Sequence, residues 1–409
     1  MKMIFPAAPV LLAALLFGGC GPAPASAQPT AQPTAAPVQT PLPSPDAESA
    51  PAGALSFSRS AAGAQTDDGF YAVRLYDDWT GCLFFYDYAA RQAVPLCPQI
   101  NCEHHSEACP AWFGDGGNIP RIVTNGQVLA YCYLSAPARI EIADPDGGNR
   151  RVLYEFAANE TPDEGFCMDE THLYTLITRV EDSQTTSQHL LRIRLADGNC
   201  ETVWSTTLSN GTYYFLVGCP DRQLLLKEIR QNTAGADSPE ALADQTHTLL
   251  LADPRDGSTA PLYRWHQGEA LEAFVGGVSY LVTRDHRLCA LSENGTLTEL
   301  ARDDRFVPGL SLVQYADGDA LWFTAPENGA DGTSLLYRLD TDGKEICPVP
   351  LSRGRSLTLL GRYGDSLFVR IAPDTGIGSA RSPQYALVPQ EQLTVSDSEA
   401  GWEVFSFTP

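Results

Sequence analysis

From about residue 68 to the C-terminus the chain alternates short apolar runs with turn residues. One phrase recurs: an apolar run, an Asp-Gly or Asn-Gly pair, then a second apolar run. It appears at Ile140-Glu-Ile-Ala-Asp144 through Gly147 to Val152-Leu-Tyr154. It returns at Leu191-Arg-Ile-Arg-Leu195, Asp197-Gly198 and Val203-Trp204, with further copies at Asp256-Gly257, Asn294-Gly295 and Asp342-Gly343. Both residues of such a pair tolerate positive φ, so the phrase predicts a β-hairpin. A second hairpin precedes most copies, as at Asn125-Gly126 before Val128-Leu-Ala-Tyr-Cys-Tyr133, Asp317-Gly318 before Ala320-Leu-Trp-Phe323, and Gly364-Asp365 before Leu367-Phe-Val-Arg-Ile371. Two hairpins per unit give four antiparallel strands, and a four-stranded unit repeating every ~40–50 residues predicts a β-propeller blade.

Units begin near residues 68, 121, 166, 213, 272, 311 and 357. The expected fold is therefore all-β, a seven-bladed propeller over residues 54–409. Irregular spacing leaves six or eight blades open, and a pair of β-sandwiches or a β-solenoid is the competing architecture. Residues 236–245 alone carry helical character and read as an insertion. Trp402-Glu-Val-Phe-Ser-Phe407 supplies a last apolar strand, expected to share a blade with the first and so remove an exposed edge.

The segment before the repeats has a different character. Met1-Lys2-Met3 is a basic start, and residues 4–17 form an apolar run of signal-peptide length, too short to span a bilayer. Phe17-Gly18-Gly19-Cys20 follows and resembles the lipobox of bacterial lipoproteins, although Phe17 stands where an aliphatic residue is usual. That resemblance implies a signal peptide over 1–19 and a lipidated Cys20 at the new N-terminus; the alternative is ordinary cleavage after Ala25-Ser26-Ala27. Residues 20–53 are rich in Pro, Ala, Ser and Thr with no aromatic residue. They cannot bury enough apolar surface to offset their ordering, and they predict an extended tether. The expected address is extracytoplasmic, on the outer face of the cell membrane, with the lipid as the only membrane contact.

Composition narrows the partners. With 27 basic against 50 acidic residues the formal charge is −23. A surface that acidic repels phosphate backbones, which argues against nucleic acid. Export permits disulfides, and the cysteines beyond Cys20 are even in number. Yet Cys82, Cys132, Cys167, Cys219 and Cys289 sit singly in or beside apolar runs and read as buried free thiols.

The remaining chemistry is concentrated in Cys97-Pro-Gln-Ile-Asn-Cys102-Glu-His104-His105-Ser-Glu-Ala-Cys109-Pro-Ala-Trp112. Three cysteines and two histidines lie in a polar loop directly after an apolar strand. Cys97, Cys102, Cys109 and one histidine, taken as His104, suit a tetrahedral Zn²⁺, and four protein ligands make such a site structural. The competing reading is a disulfide, Cys102–Cys109 or Cys97–Cys109. The phrase Leu83-Phe-Phe-Tyr-Asp87, Pro95-Leu-Cys97, Cys102, His104 and Cys109 is similar to an uncharacterised group of propeller-like lipoproteins of clostridial bacteria. The resemblance covers about thirty residues and the general layout, and it brings no activity with it.

Other motifs dissolve on inspection. Gly364-Asp365-Ser366-Leu367 matches an esterase phrase but opens a strand late in a β-repeat. Asp340-Thr-Asp342-Gly343 and Asp144-Pro-Asp146-Gly147 lack the bidentate Glu of a calcium loop and read as turns. There is no nucleophile elbow, no His-Glu-x-x-His and no phosphate-binding Gly-Lys-Ser/Thr. The leading expectation is a monomeric, non-enzymatic binding or scaffold module for a peptide, glycan or envelope protein. A glycan-active enzyme with two channel carboxylates, or an envelope metal-handling or sensor protein using the Cys/His loop, are the alternatives.

Overall fold

A computed structural model describes residues 55–58, 63–76, 80–114, 118–182, 185–209, 211–231, 244–317, 320–327, 334–340, 346–349, 355–373, 383–395 and 402–407. Cys20, the signal segment and the tether over 20–53 lie outside these residues. So do Asp342-Gly343 and most of the helical insertion at 236–245.

Alternating apolar and polar positions set the strands, and Asp-Gly or Asn-Gly turns set their pairing. The result is a seven-bladed β-propeller of antiparallel sheets. Blade 1 is β2 (Ala64–Gln65), β3 (Gly69–Leu75), β4 (Gly81–Asp87) and β5 (Gln92–Pro95), with β6 (Trp112–Phe113) also on β4. Blade 2 is β7 (Arg121–Thr124), β8 (Leu129–Tyr133), β9 (Arg139–Ala143) and β10 (Arg151–Glu155). Blade 3 is β11 (Glu160–Met168), β12 (His172–Val180), β13 (Thr186–Arg194) and β14 (Cys200–Thr207). Blade 4 is β15 (Thr212–Gly218), β16 (Leu224–Gln231), β17 (Gln245–Ala252) and β18 (Thr259–His266). Blade 5 is β19 (Ala270–Val275), β20 (Val278–Thr283), β21 (Arg287–Leu291) and β22 (Leu297–Arg302). Blade 6 is β23 (Leu312–Asp317), β24 (Ala320–Pro326), β25 (Ser334–Asp340) and β26 (Ile346–Pro348). Blade 7 is β27 (Arg355–Tyr363), β28 (Ser366–Pro373), β29 (Gln384–Pro389) and β30 (Glu403–Val404). A short helix, α1 (Gln390–Val395), follows β29, where the sequence had no helical signal.

The first strands of neighbouring blades meet one another, which places them around the axis, and apolar clusters fill the junctions between blades. The recurring turn glycine has a docking role. Gly198 and Gly257 have φ of +74° and +68°, and a Cβ on either would lie 2.1 Å from Leu153 O and 2.0 Å from Val203 O respectively. Those carbonyls belong to the outermost strand of the preceding blade. The Asp-Gly repeat is thus both a hairpin turn and a contact between blades.

Closure takes a form the sequence had not specified. The last strand does join the first blade's sheet: β31 (Ser406–Phe407) runs parallel to β5, while β30 completes blade 7. Between them Phe405 is buried against Tyr86 and Phe368. The N-terminal strand goes elsewhere. β1 (Ser56–Ser58) pairs with β11 on its axial side. Ser56 Oγ donates to Thr124 O at 2.7 Å, Cys219 Sγ donates to Leu55 O at 3.4 Å, and Phe57 meets Phe274 edge-on at 5.8 Å. The entering chain therefore occupies the axis and touches blades 2 to 5.

Candidate metal centre

The Cys/His loop grows out of the outer edge of blade 1. Leu96 N donates to Leu83 O and Leu83 N donates to Ala111 O, both at 2.8 Å. Residues 97–110 thus leave and rejoin the sheet at one residue of β4, and β5 and β6 share that strand's edge above and below the excursion. Asn101 and His104 adopt positive φ, 61° and 53°, folding the loop back over its own stem.

That fold brings Cys97, Cys102, His104 and Cys109 together, with one ligand atom from each within 4.8 Å of the others. A Zn²⁺ ion about 2.3 Å from each sulfur and 2.0–2.1 Å from nitrogen would set its ligand atoms about 3.5–3.8 Å apart. The cluster is within an ångström or so of that cage and has its ligand chemistry. His104 Nδ1 already lies 3.4 Å from Cys109 Sγ. His105, the other histidine, is instead edge-on to Tyr76, with ring centroids 5.0 Å apart. Every cysteine among the described residues is a free thiol, including all three in the loop. The Cys102 thiol is held below its ordinary value, first by the His104 backbone N–H, which favours the thiolate. Cys109 is buried at the loop's base, and desolvation pushes its thiol up to about 12. Cys82, Cys132, Cys167, Cys219 and Cys289 are buried free thiols, as expected, but not all stand alone: Cys167 interacts with Cys219, and Cys82 with Tyr76.

A pocket of about 720 Å³ opens beside this loop, between blades 1 and 2. Cys109, Pro110, Trp112 and Phe113 form one wall; Tyr133, Arg139, Glu141 and Arg150 form the other, with Val152 half exposed at the rim. Glu141 organises the charged wall. It accepts from Arg139 Nε at 2.6 Å and from Arg150 Nε at 2.7 Å. Burial alone would raise its carboxyl, but Arg150 and Arg139 outweigh burial and hold it below its usual value. Arg150 also donates to Tyr133 OH at 2.6 Å and to Pro110 O, the residue after Cys109. Its guanidinium lies 4.8 Å from the Tyr131 ring centroid and 5.1 Å from that of Phe113. The loop is therefore tied to blade 2 through Arg150.

The sequence pointed to the four clustered residues through their spacing. It gave no sign of the pocket, whose walls come from β6, β8, β9 and β10 and meet only through sheet pairing. The Trp112 that follows the cysteine phrase was the single local hint.

No protein-family model and no curated protein matches the chain. Among solved structures it is similar to a prolyl endopeptidase, with a TM-score of 0.53 and 14% identity over 82% of this chain and 48% of that one. It is also similar to the propeller domain of the Trilobed protease from Pyrococcus furiosus (TM-score 0.48, 10% identity, 84% of this chain and 98% of that one). Porphyromonas gingivalis dipeptidyl peptidase 4 gives 0.44 at 11% identity over 84% of this chain and 50% of that one. The match spans about half the length of the prolyl endopeptidase and dipeptidyl peptidase 4 chains. At such identity the likeness shows the propeller fold alone.

Proposed function

We propose that the chain is an extracytoplasmic lipoprotein, anchored through Cys20, whose propeller presents the pocket between blades 1 and 2 to a peptide or glycan. A structural Zn²⁺ at Cys97, Cys102, His104 and Cys109 holds one wall of that pocket. The observation that carries this reading is shared construction: Cys109 and Pro110 belong to both the cluster and the pocket, and Arg150 bonds the loop to the opposite wall. A concavity of this size, with aromatic surface and fixed polar groups, has the dimensions of a ligand site. The metal would supply a rigid cross-link in a loop without a hydrophobic core of its own, and this chain's residues would do the binding.

Val152 sits 46% exposed at the pocket rim. In soluble protein made with Cys20→Ser, titration with panels of short peptides and oligosaccharides should find saturable binding. Val152→Arg should abolish it and leave the unfolding midpoint unchanged. A panel member bound equally by both proteins would place the ligand elsewhere and overturn the reading. Envelope metal sensing is the second reading, favoured by the half-buried state of Cys97, Cys102 and His104. It requires a chelator to remove the ion without lowering the midpoint, whereas a structural ion cannot leave without lowering it.

A further inference from the structure

The junction that closes the ring contains two arginines that no carboxylate among the described residues pairs. Phe70, Ala72 and Arg74 lie on one face of β3, because side chains alternate along a strand. Phe368 and Arg370 lie on one face of β28 for the same reason. The Phe70 and Phe368 rings meet across the junction with centroids 5.1 Å apart, so both faces look into it. β3 and β28 are the second strands of their blades and run in the same sense, so Arg74 and Arg370 both lie toward the same end. Arg370 is the cross-strand partner of Tyr385, whose ring is 4.4 Å from that of Tyr86. The Arg74 guanidinium stands 3.9 Å over the Phe407 ring. Burial pushes the Tyr86 phenol well above its ordinary value, and the charges of Arg74 and Arg370 both pull it back, as they do at Tyr385. The two guanidinium groups therefore act on one small region.

Neither arginine forms a hydrogen bond or ion pair with a described residue, and the Nε of each is sealed from solvent without a partner. Among the other described arginines with a buried Nε this does not happen. Arg121, Arg287 and Arg338 also bury an Nε, yet each has a carboxylate within 4.0 Å, from Glu164, Asp285 and Asp340. A half-buried charge loses solvation, and two like charges in one junction repel, so an unanswered pair is costly. A guanidinium is a planar fork of donors suited to tetrahedral oxyanions, and two of them match a double negative charge.

We propose that the junction between blades 7 and 1 holds a doubly charged oxyanion, a phosphate or sulfate group, between Arg74 and Arg370. The group bridges the two blades where the ring closes, with Phe407 beneath it. The chain's net charge of −23 repels anions in general, so the attraction is local to this junction. A free ion and an ester of a larger molecule share the same chemistry. The proposal uses none of the four clustered Cys/His residues, which lie in the loop at the outer edge of blade 1.

The test compares thermal unfolding of the soluble propeller in sodium phosphate and in sodium chloride at equal ionic strength. Inorganic phosphate should raise the midpoint by several degrees, saturably, beyond chloride, as a ligand bound only by the folded state must. Arg370→Gln should lose that response. In chloride alone it should unfold no earlier than the parent, because it removes an unanswered charge; this reversal between buffers is not expected of a merely structural arginine. Arg74→Gln should behave alike, and if it fails to fold, Arg370→Gln and the parent comparison decide the matter. Glycerol 3-phosphate identifies the source: a response equal to that of inorganic phosphate supports a site open to esters, and none supports a site for the free ion. Equal midpoints in phosphate and chloride, or a full phosphate response in Arg370→Gln, would overturn the proposal.

Discussion

At the scale of single residues, charge placement separates what holds the pocket from what fills it. Glu141 is the hinge of one wall, because a single carboxylate satisfies both Arg139 and Arg150, and Arg150 in turn reaches Pro110. Glu141→Gln would leave two half-buried guanidinium groups short of a counter-charge. The expected cost is about 3 kcal/mol, read from denaturant unfolding. Its pH dependence follows from the folded carboxyl lying below its usual value. The contribution is complete above the unfolded value near 4.3 and is lost as the pH falls through the lower folded value. Parent and variant should therefore converge in stability in acid and diverge toward neutrality; a constant gap from pH 3 to pH 7 would contradict this. None of the wall was legible in the sequence. Arg139, Glu141 and Arg150 look like ordinary solvated charges along a strand, and only the antiparallel register of β9 and β10 brings them to one place.

At the scale of elements, the same turn that revealed the fold also explains how the blades pack. An Asp-Gly pair announces a hairpin from local chemistry alone, and the described copies fall between the third and fourth strands of their blades. What the sequence does not carry is the target of that turn, since Leu153 O and Val203 O lie in the preceding blade. Gly257→Ala should combine the strain of a positive φ with displacement of a backbone carbonyl, for about 2–3 kcal/mol of destabilisation. Gly268→Ala, at φ +78° with nothing within 4 Å of its added Cβ, should cost about 1 kcal/mol. Equal losses in the two variants would remove the docking role. The short axial strand β1 was likewise invisible beforehand. Ser56–Ser58 carries no turn signal, and its pairing with β11 spans blades 1 and 2 in sequence.

Across the whole molecule, seven units of similar pattern suffice to predict a ring, because each blade buries its faces only against neighbours. The manner of closure was less readable. The final apolar strand is split between two blades, with Glu403–Val404 on one and Ser406–Phe407 on the other. Blade 1 then carries both candidate sites: the arginine pair toward blade 7, and the Cys/His loop at its outer edge beside the pocket toward blade 2. If the proposed metal cross-links the loop and fixes one pocket wall, its binding and the stability of the ring are coupled. The thiols must lose protons to bind, and acid should release the ion. Elemental analysis of purified soluble protein, with thiol titration before and after denaturation, tests this most directly. About one zinc per chain is expected, lost in Cys102→Ser together with a lowered unfolding midpoint, and every cysteine should be titratable once the protein is denatured without reductant. No bound metal, with two fewer titratable thiols than the sequence provides, would contradict it and make the loop a disulfide staple.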